Sequence, residues 1–420
     1  MMSATRIITR SAVIAALMLA TPALAAPQKP VLDAAEAEKP AYLATLEKLV
    51  SIESGSRDAQ GLATIAALIA ERLKALGGET ELVDSAEPTR SPGKIALARF
   101  KGSGTRKILL LAHMDTVYAK GMLAQQPFRI EGDKAYGLGI ADDKHGIALI
   151  LHTVALLNKI AARDYGTLTV LINGDEEIGS AGSRALITKI AAEQDAVFSC
   201  EGSNISQDTL RLATSGVGSV QLKVTGRASH AGSSPEMGRN ALYELSHQIL
   251  QMRDLSKPEM GLKLNWTLAS AGSVSNAIPA EAKAQGDMRA LRMADFDLIE
   301  AAVKERIQNK LIPDTVVEAT FTRGRPPLAP TEASKALGAH AKRIFDEIGR
   351  PLTIAERASG GGTDAAYAAL QAKGPVIEGF GLRGFGSHSN QNEYVALDSI
   401  VPRLYLLARM ITDVSRGEAK

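Results

Sequence analysis

The chain has 420 residues, 45% of them hydrophobic, and carries 48 basic against 46 acidic side chains. That near balance, with no basic tract or aromatic-rich stripe, removes the electrostatic basis for holding nucleic acid or an anionic membrane, and the expected partner is a small molecule. A single cysteine, Cys200, excludes an intramolecular disulfide and a thiolate cluster, so any metal must be held by His, Asp and Glu.

Residues 1–25 read as an export signal. Arg6 and Arg10 precede an apolar run over 11–20, and Ala23-Leu24-Ala25 supplies a small-x-small cleavage site. The run is shorter than the roughly 20 residues a bilayer crossing needs, so the expectation is release into the periplasm or medium without a membrane anchor. Loss of Arg6 and Arg10 would leave 46 charges of each sign.

From residue 62 onward helical patterns alternate with short apolar strands, as in an α/β fold with a mixed, largely parallel sheet wrapped by helices. Residues 62–76 read as helix and 108–112, 168–172 and 196–200 as strands. A long apolar helix at 143–160 separates the first two strands, and 375–377 is a further short strand. Between 215 and 326 the order changes to strand 219–226, helix 240–252, strands 263–270 and 282–290, helix 296–310 and strand 316–322. This βαββαβ order predicts a ferredoxin-like α+β dimerisation and lid domain at 215–326, inserted between catalytic segments 26–214 and 327–420, with helix faces free to pair in a homodimer.

Candidate metal ligands follow predicted strands or open helices at five places: His113 in LAHMD, Asp142 in GIADDKHG, Glu176 and Glu177 in NGDEEIGS, Glu201 in SCEGS and His388 in GSHSNQNE. In open α/β sheets the crevice beyond the carboxyl ends of the strands is where ligands bind, so these positions converge. Two imidazoles with carboxylates and no thiolate suit zinc or another divalent first-row metal. If Asp142 bridges, His113 and Glu201 complete one ion and Glu177 and His388 the other, with a water activated between ions roughly 3.5 to 4 Å apart. Asp115, two residues after His113, can orient its imidazole. Glu176 is the expected general base. Taken singly, each is an ordinary packed histidine or helix-capping acid. The joint order HxD, GxGxxDDK, DEExGS, strand-ending Glu and GxHS is what points to a dinuclear hydrolytic site.

These residues resemble the zinc exopeptidase family that includes aminoacylases, succinyl-diaminopimelate desuccinylases and glutamate carboxypeptidases, most closely its bacterial folate-hydrolysing carboxypeptidase branch. The likeness runs from about residue 32 to the C-terminus and includes LAHMDTVYAKG, PFRIEGDKAYG, GRASHAG, LNWTLASAGSVSNAIPA, TRGRP, GGGTDAAYAAL and EYVALDSI. It implies two Zn2+ per subunit on the ligands given above and hydrolysis of the amide bond to a C-terminal amino acid, glutamate foremost. A dipeptidase or N-acyl amino acid amidohydrolase with another leaving residue is the alternative. It also implies that His230, in RASHAG, polarises the scissile carbonyl, often in the partner subunit's site. For a substrate with a free carboxylate it implies Arg289 as the α-carboxylate anchor, with Asn276 and Arg325 beside it and the glycine loop at Gly361 against the ligand. Two departures stand out. Glutamate-specific relatives carry a lysine where this chain has Thr209, and Arg211, on the same strand face two residues on, is the candidate replacement. His145 stands where relatives usually have glycine, and is expected to pack behind the site.

Overall fold

The protein is described by a computed structural model covering residues 26–389 and 392–419; the export signal expected at 1–25 lies outside the described residues. A six-stranded sheet carries the site, in the order Glu79–Val83, Ile95–Lys101, Thr167–Asn173, Lys107–His113, Ala196–Ser199, Val376–Ile377. The last four strands run parallel, and the first two pair antiparallel at one edge. Successive side chains point to opposite faces. Ile108 and Leu110 therefore pack with the helices Lys29–Val50, His145–Lys159 and Ile400–Arg416, while Leu109 and Leu111 pack with Arg184–Ala191 and Ala365–Ala369. Burial on both faces is why these strands read as unbroken apolar runs.

The helix His145–Lys159 is buried nearly all round, from Ile147 to Leu157, and the Tyr42 hydroxyl donates to the His145 carbonyl at 2.7 Å. Its first turn approaches the sheet so closely that a side chain at Gly146 would sit 2.3 Å from the Cys200 carbonyl. Only glycine fits there. The helix Ala59–Ala75 starts where Asp58 accepts the Gly61 amide, an ordinary acidic N-cap.

Residues 216–323 build a second, antiparallel sheet in the order Lys263–Ala271, Glu281–Ala290, Gly216–Thr225, Val316–Arg323, the ferredoxin-like arrangement. The helices Ala241–Gln251 and Met293–Arg306 cover it, and Val220, Leu222, Leu245, Phe296 and Ile299 form a core separate from that of the larger sheet. A small sheet of Arg129–Glu131, Lys134–Tyr136, Tyr394–Ala396, Arg383–Phe385 and Ser203–Asn204 carries the His388 loop. Among the described residues no helix is long and apolar enough to cross a membrane.

Candidate metal centre and active site

Three parallel strands end at the site. His113 is the last residue of Lys107–His113, Glu176 and Glu177 follow Thr167–Asn173, and Glu201 follows Ala196–Ser199. Asp142 precedes the helix His145–Lys159, in a loop entered through Gly139 at φ +70°, where a side chain would strike Thr116. Glu393, which the sequence reading did not single out, fixes this loop: its carboxylate accepts the amides of Gly139 and Ala141 at 2.9 and 2.7 Å and the Tyr118 hydroxyl at 2.5 Å.

Asp142 lies between the two imidazoles. Its Oδ1 is 3.0 Å from His113 Nε2 and its Oδ2 is 3.3 Å from His388 Nε2, which in turn is 3.0 Å from Glu177 Oε2. Burial would raise the Asp142 carboxyl, but His113 and His388 outweigh it and hold it below the usual carboxylate range. Asp142 and Glu177 push His388 up to about 10. Burial raises Glu177, and it raises Glu201 well above the ordinary value, with Glu378, Glu176 and Asp142 adding to the effect. Carboxylates crowded together in this way against imidazole nitrogens match the donor chemistry of a divalent metal. Asp142, Glu177 and His388 each present a donor atom within 4.8 Å of the others, which fits a single cation. His113 reaches the group through Asp142, and Glu201 lines the same pocket.

Asp115 ties the candidate ligands together. Fully buried, it lies 3.4 Å from His113 Nδ1, and it accepts the Glu176 and Glu177 amides at 3.0 and 3.2 Å and the Ser56 hydroxyl at 2.8 Å. One carboxylate thus fixes both His113 and the Glu176-Glu177 loop, the position from which a residue can orient candidate metal ligands.

Glu176 is pushed up to about 8 by burial, which the adjacent Arg325 offsets in part. Arg325 Nη1 lies 2.6 Å from Glu176 Oε1, and Nη2 donates to the Glu176 carbonyl at 2.8 Å and the Ser180 hydroxyl at 3.0 Å, with Asp364 Oδ1 at 3.4 Å. The sequence marks Arg325 for substrate, but the structure pairs it with Glu176 and also places it in the pocket wall. Asp364, inside GGGTDAA, was likewise not singled out. It also accepts Asn173 Nδ2 at 2.8 Å.

The pocket above these groups has a volume of about 710 Å3, a size suited to a small molecule. Arg289, Gly361 and Arg211 line it. Arg289 is held by Asp287 at 2.9 Å and donates to the Gly360 carbonyl at 3.1 Å. Thr209 is buried away from the pocket, its hydroxyl on the Gln207 carbonyl, whereas Arg211 reaches the wall while donating to the Gly202 carbonyl at 2.8 Å. His230 and Asn276 sit together on a two-stranded ribbon, where the Ala231 amide donates to the Asn276 carbonyl at 2.8 Å, and neither lines the pocket of its own chain. His145 is fully buried behind the site and held near 4 by that burial; its Nε2 faces the Ala141 carbonyl at 3.2 Å.

Imidazoles and carboxylates at the ends of parallel strands, with a buried acid beside them, define a metal-dependent hydrolase of the α/β type. More particularly, the chain belongs to peptidase family M20/M25/M40, which it matches over residues 109–413. Carboxypeptidase G2 of Pseudomonas sp. (strain RS-16) is 48% identical over 97% of this chain and 98% of its own length. The aminopeptidase PepT of Bacillus cereus shares the fold at a TM-score of 0.76 and 20% identity, covering 90% of this chain and 98% of that one. So does the YXEP protein of Bacillus subtilis, a dinuclear metal binding peptidase, with a TM-score of 0.67 at 16% identity over 91% and 99%.

Proposed function

We propose that the protein is an exported, two-zinc metallocarboxypeptidase that hydrolyses the amide bond to a C-terminal amino acid, glutamate in N-acyl, peptidyl or folate-type substrates. The observation that carries this reading is the placement of Asp142 between His113 and His388, with Glu176 buried alongside. The likeness to carboxypeptidase G2 over nearly the whole of both chains supports the leaving group.

Residue roles follow from position. His113, Asp142 and Glu201 would hold one ion and Asp142, Glu177 and His388 the other. When bound, the pair would supply Lewis acidity toward the scissile carbonyl and the attacking water. Asp115 keeps His113 oriented. Glu176, kept ionised against its burial by Arg325 and by the cations the site would hold, takes the proton of the attacking water and returns it to the leaving amine. Arg289 and Gly361 receive the α-carboxylate, and Arg211 is the one cation on the Thr209 strand that reaches the pocket to meet a side-chain carboxylate. His230 and Asn276, remote from their own pocket, are proposed to serve the partner subunit of a homodimer built on the 215–326 domain. The exposed apolar residues Leu242, Tyr243 and Leu250 on the helix Ala241–Gln251 supply a surface for that pairing.

The test is Glu176→Gln. The neutral amide keeps the shape but cannot accept the water's proton, so turnover falls by at least about 100-fold while two zinc ions per chain remain bound. Retained turnover would remove Glu176 from the role of base.

A further inference from the structure

Behind the catalytic pocket, where the two lobes of the chain join, lies a second cavity of about 710 Å3 that the reaction does not use. Its floor is apolar and comes from both lobes: Met293 and Phe296 from the helix Met293–Arg306, Pro326 from the return crossing, and Tyr367 and Leu370 from the catalytic lobe. Met293 and Leu370 are 44% and 57% exposed, large apolar side chains facing one opening from two different lobes. Such surface is costly to leave in water, and convergent apolar surface marks a binding site more often than an ordinary wall.

The charge around this floor is one-sided. Arg184, Lys189, Arg323 and Arg325 line the cavity, and no carboxylate does. Arg323 is spent on Asp297 and Glu300, and Arg325 on Glu176 and Asp364. Arg184 hydrogen-bonds the Tyr367 hydroxyl, and Lys189 feels Glu193 just beyond the end of its helix; neither forms an ion pair with a described carboxylate. Two cations without an ion-pair partner among the described residues thus stand over an apolar floor.

The cavity is also mechanically placed. The Phe296 ring lies against Gly216 and Gly218, and Gly324 and Arg325 pair with Val217 through backbone hydrogen bonds at 3.0 and 2.8 Å, so both chain crossings between the lobes meet at its wall. Arg325 has one side here, and its guanidinium ends on Glu176.

We propose that this cavity between the lobes binds a small amphiphilic carboxylate, the acid on Arg184 and Lys189 and the apolar body on Met293, Phe296 and Leu370. An occupant packed against Arg325 shifts the guanidinium that holds Glu176 and lowers turnover without competing for the metal-bearing pocket. The proposal does not depend on which amino acid the enzyme releases.

Decanoate is the probe. For a ligand of its size a dissociation constant on the order of 100 μM is expected with the zinc-loaded protein, measured by titration calorimetry. Arg184→Glu with Lys189→Glu weakens binding at least tenfold, and Ala185→Trp, which fills the cavity from an exposed helical position, abolishes it. Each variant keeps wild-type turnover when decanoate is absent. In the wild type decanoate lowers kcat and leaves KM unchanged. Binding that persists in both variants, binding that disappears on chelation of the metals, or competitive inhibition would overturn the proposal, because the acid would then sit on the metal centre.

Discussion

Arg325→Met separates two accounts of one residue. Arg325 is nine-tenths buried, and its guanidinium lies 2.6 Å from the Glu176 carboxylate and 3.4 Å from that of Asp364, with further donations to two carbonyls and the Ser180 hydroxyl. Methionine fills most of the volume and removes every donor. Two buried carboxylates then face each other without a cation, and breaking a buried pair by removing one partner costs about 3–5 kcal/mol. One of the two relieves the strain by taking up a proton. Where Glu176 does so it can no longer act as base, and kcat falls by about 100-fold or more. The assays are urea unfolding of the zinc-loaded protein and steady-state release of glutamate from an N-acyl glutamate. The structure requires lower stability and a loss concentrated in kcat. A rise in KM at unchanged kcat and unchanged unfolding midpoint would refute the reasoning and return Arg325 to direct substrate binding.

Asp115→Asn should weaken zinc binding by about 10- to 100-fold in a competition with a chelator, because the amide cannot accept from both the Glu176 and Glu177 backbones while orienting His113; unchanged affinity would contradict the tie. Stability should fall on acidification from neutral pH. Burial holds His152 below its usual 6.5, so the unfolded chain binds its proton first and stability declines as pH drops below that value. Burial pulls Glu38 up, yet Lys159 and His152 outweigh it and hold it low, so its contribution is present above about 4.5 and is lost as pH falls through its folded value. A His152→Asn variant whose urea midpoint shows the same slope between pH 6.5 and 5 as the wild type would count against this assignment.

The parts of the fold that read clearly in the sequence are those whose environment is uniform. Strands such as Lys107–His113 and Thr167–Asn173, buried on both faces, leave plain apolar runs, and the period change after residue 215 announces the ferredoxin-like order. Helices Lys29–Val50 and Ile400–Arg416 left a weaker trace. Lys29–Val50 contains Pro40, and Ile400–Arg416 buries Arg403 and Arg409, whose charges interrupt an apolar face and are legible only once Asp208 and Glu347 are seen opposite them. The edge strand Glu79–Val83, exposed or half-buried along its length, carries too few apolar residues to stand out as a strand.

At the site, motif order was enough to single out the candidate ligands that the fold brings together, because each follows a strand end or opens a helix. The supporting groups were hidden by distance in sequence. Glu393 acts 252 residues from Ala141 and Asp364 acts 191 from Asn173, and no local pattern links such pairs. Arg325 stood within a quoted motif, but its partner was set by the fold.

The central claim is metal-dependent release of a C-terminal amino acid, glutamate by preference. Its most direct test is release of free glutamate from folate by the purified, zinc-loaded protein, beside the same protein after chelation and after zinc is restored. The account predicts release that chelation abolishes and zinc recovers. Release that survives chelation would contradict the metal mechanism, and no release from a protein holding two zinc ions per chain would contradict the glutamate preference assigned to Arg211.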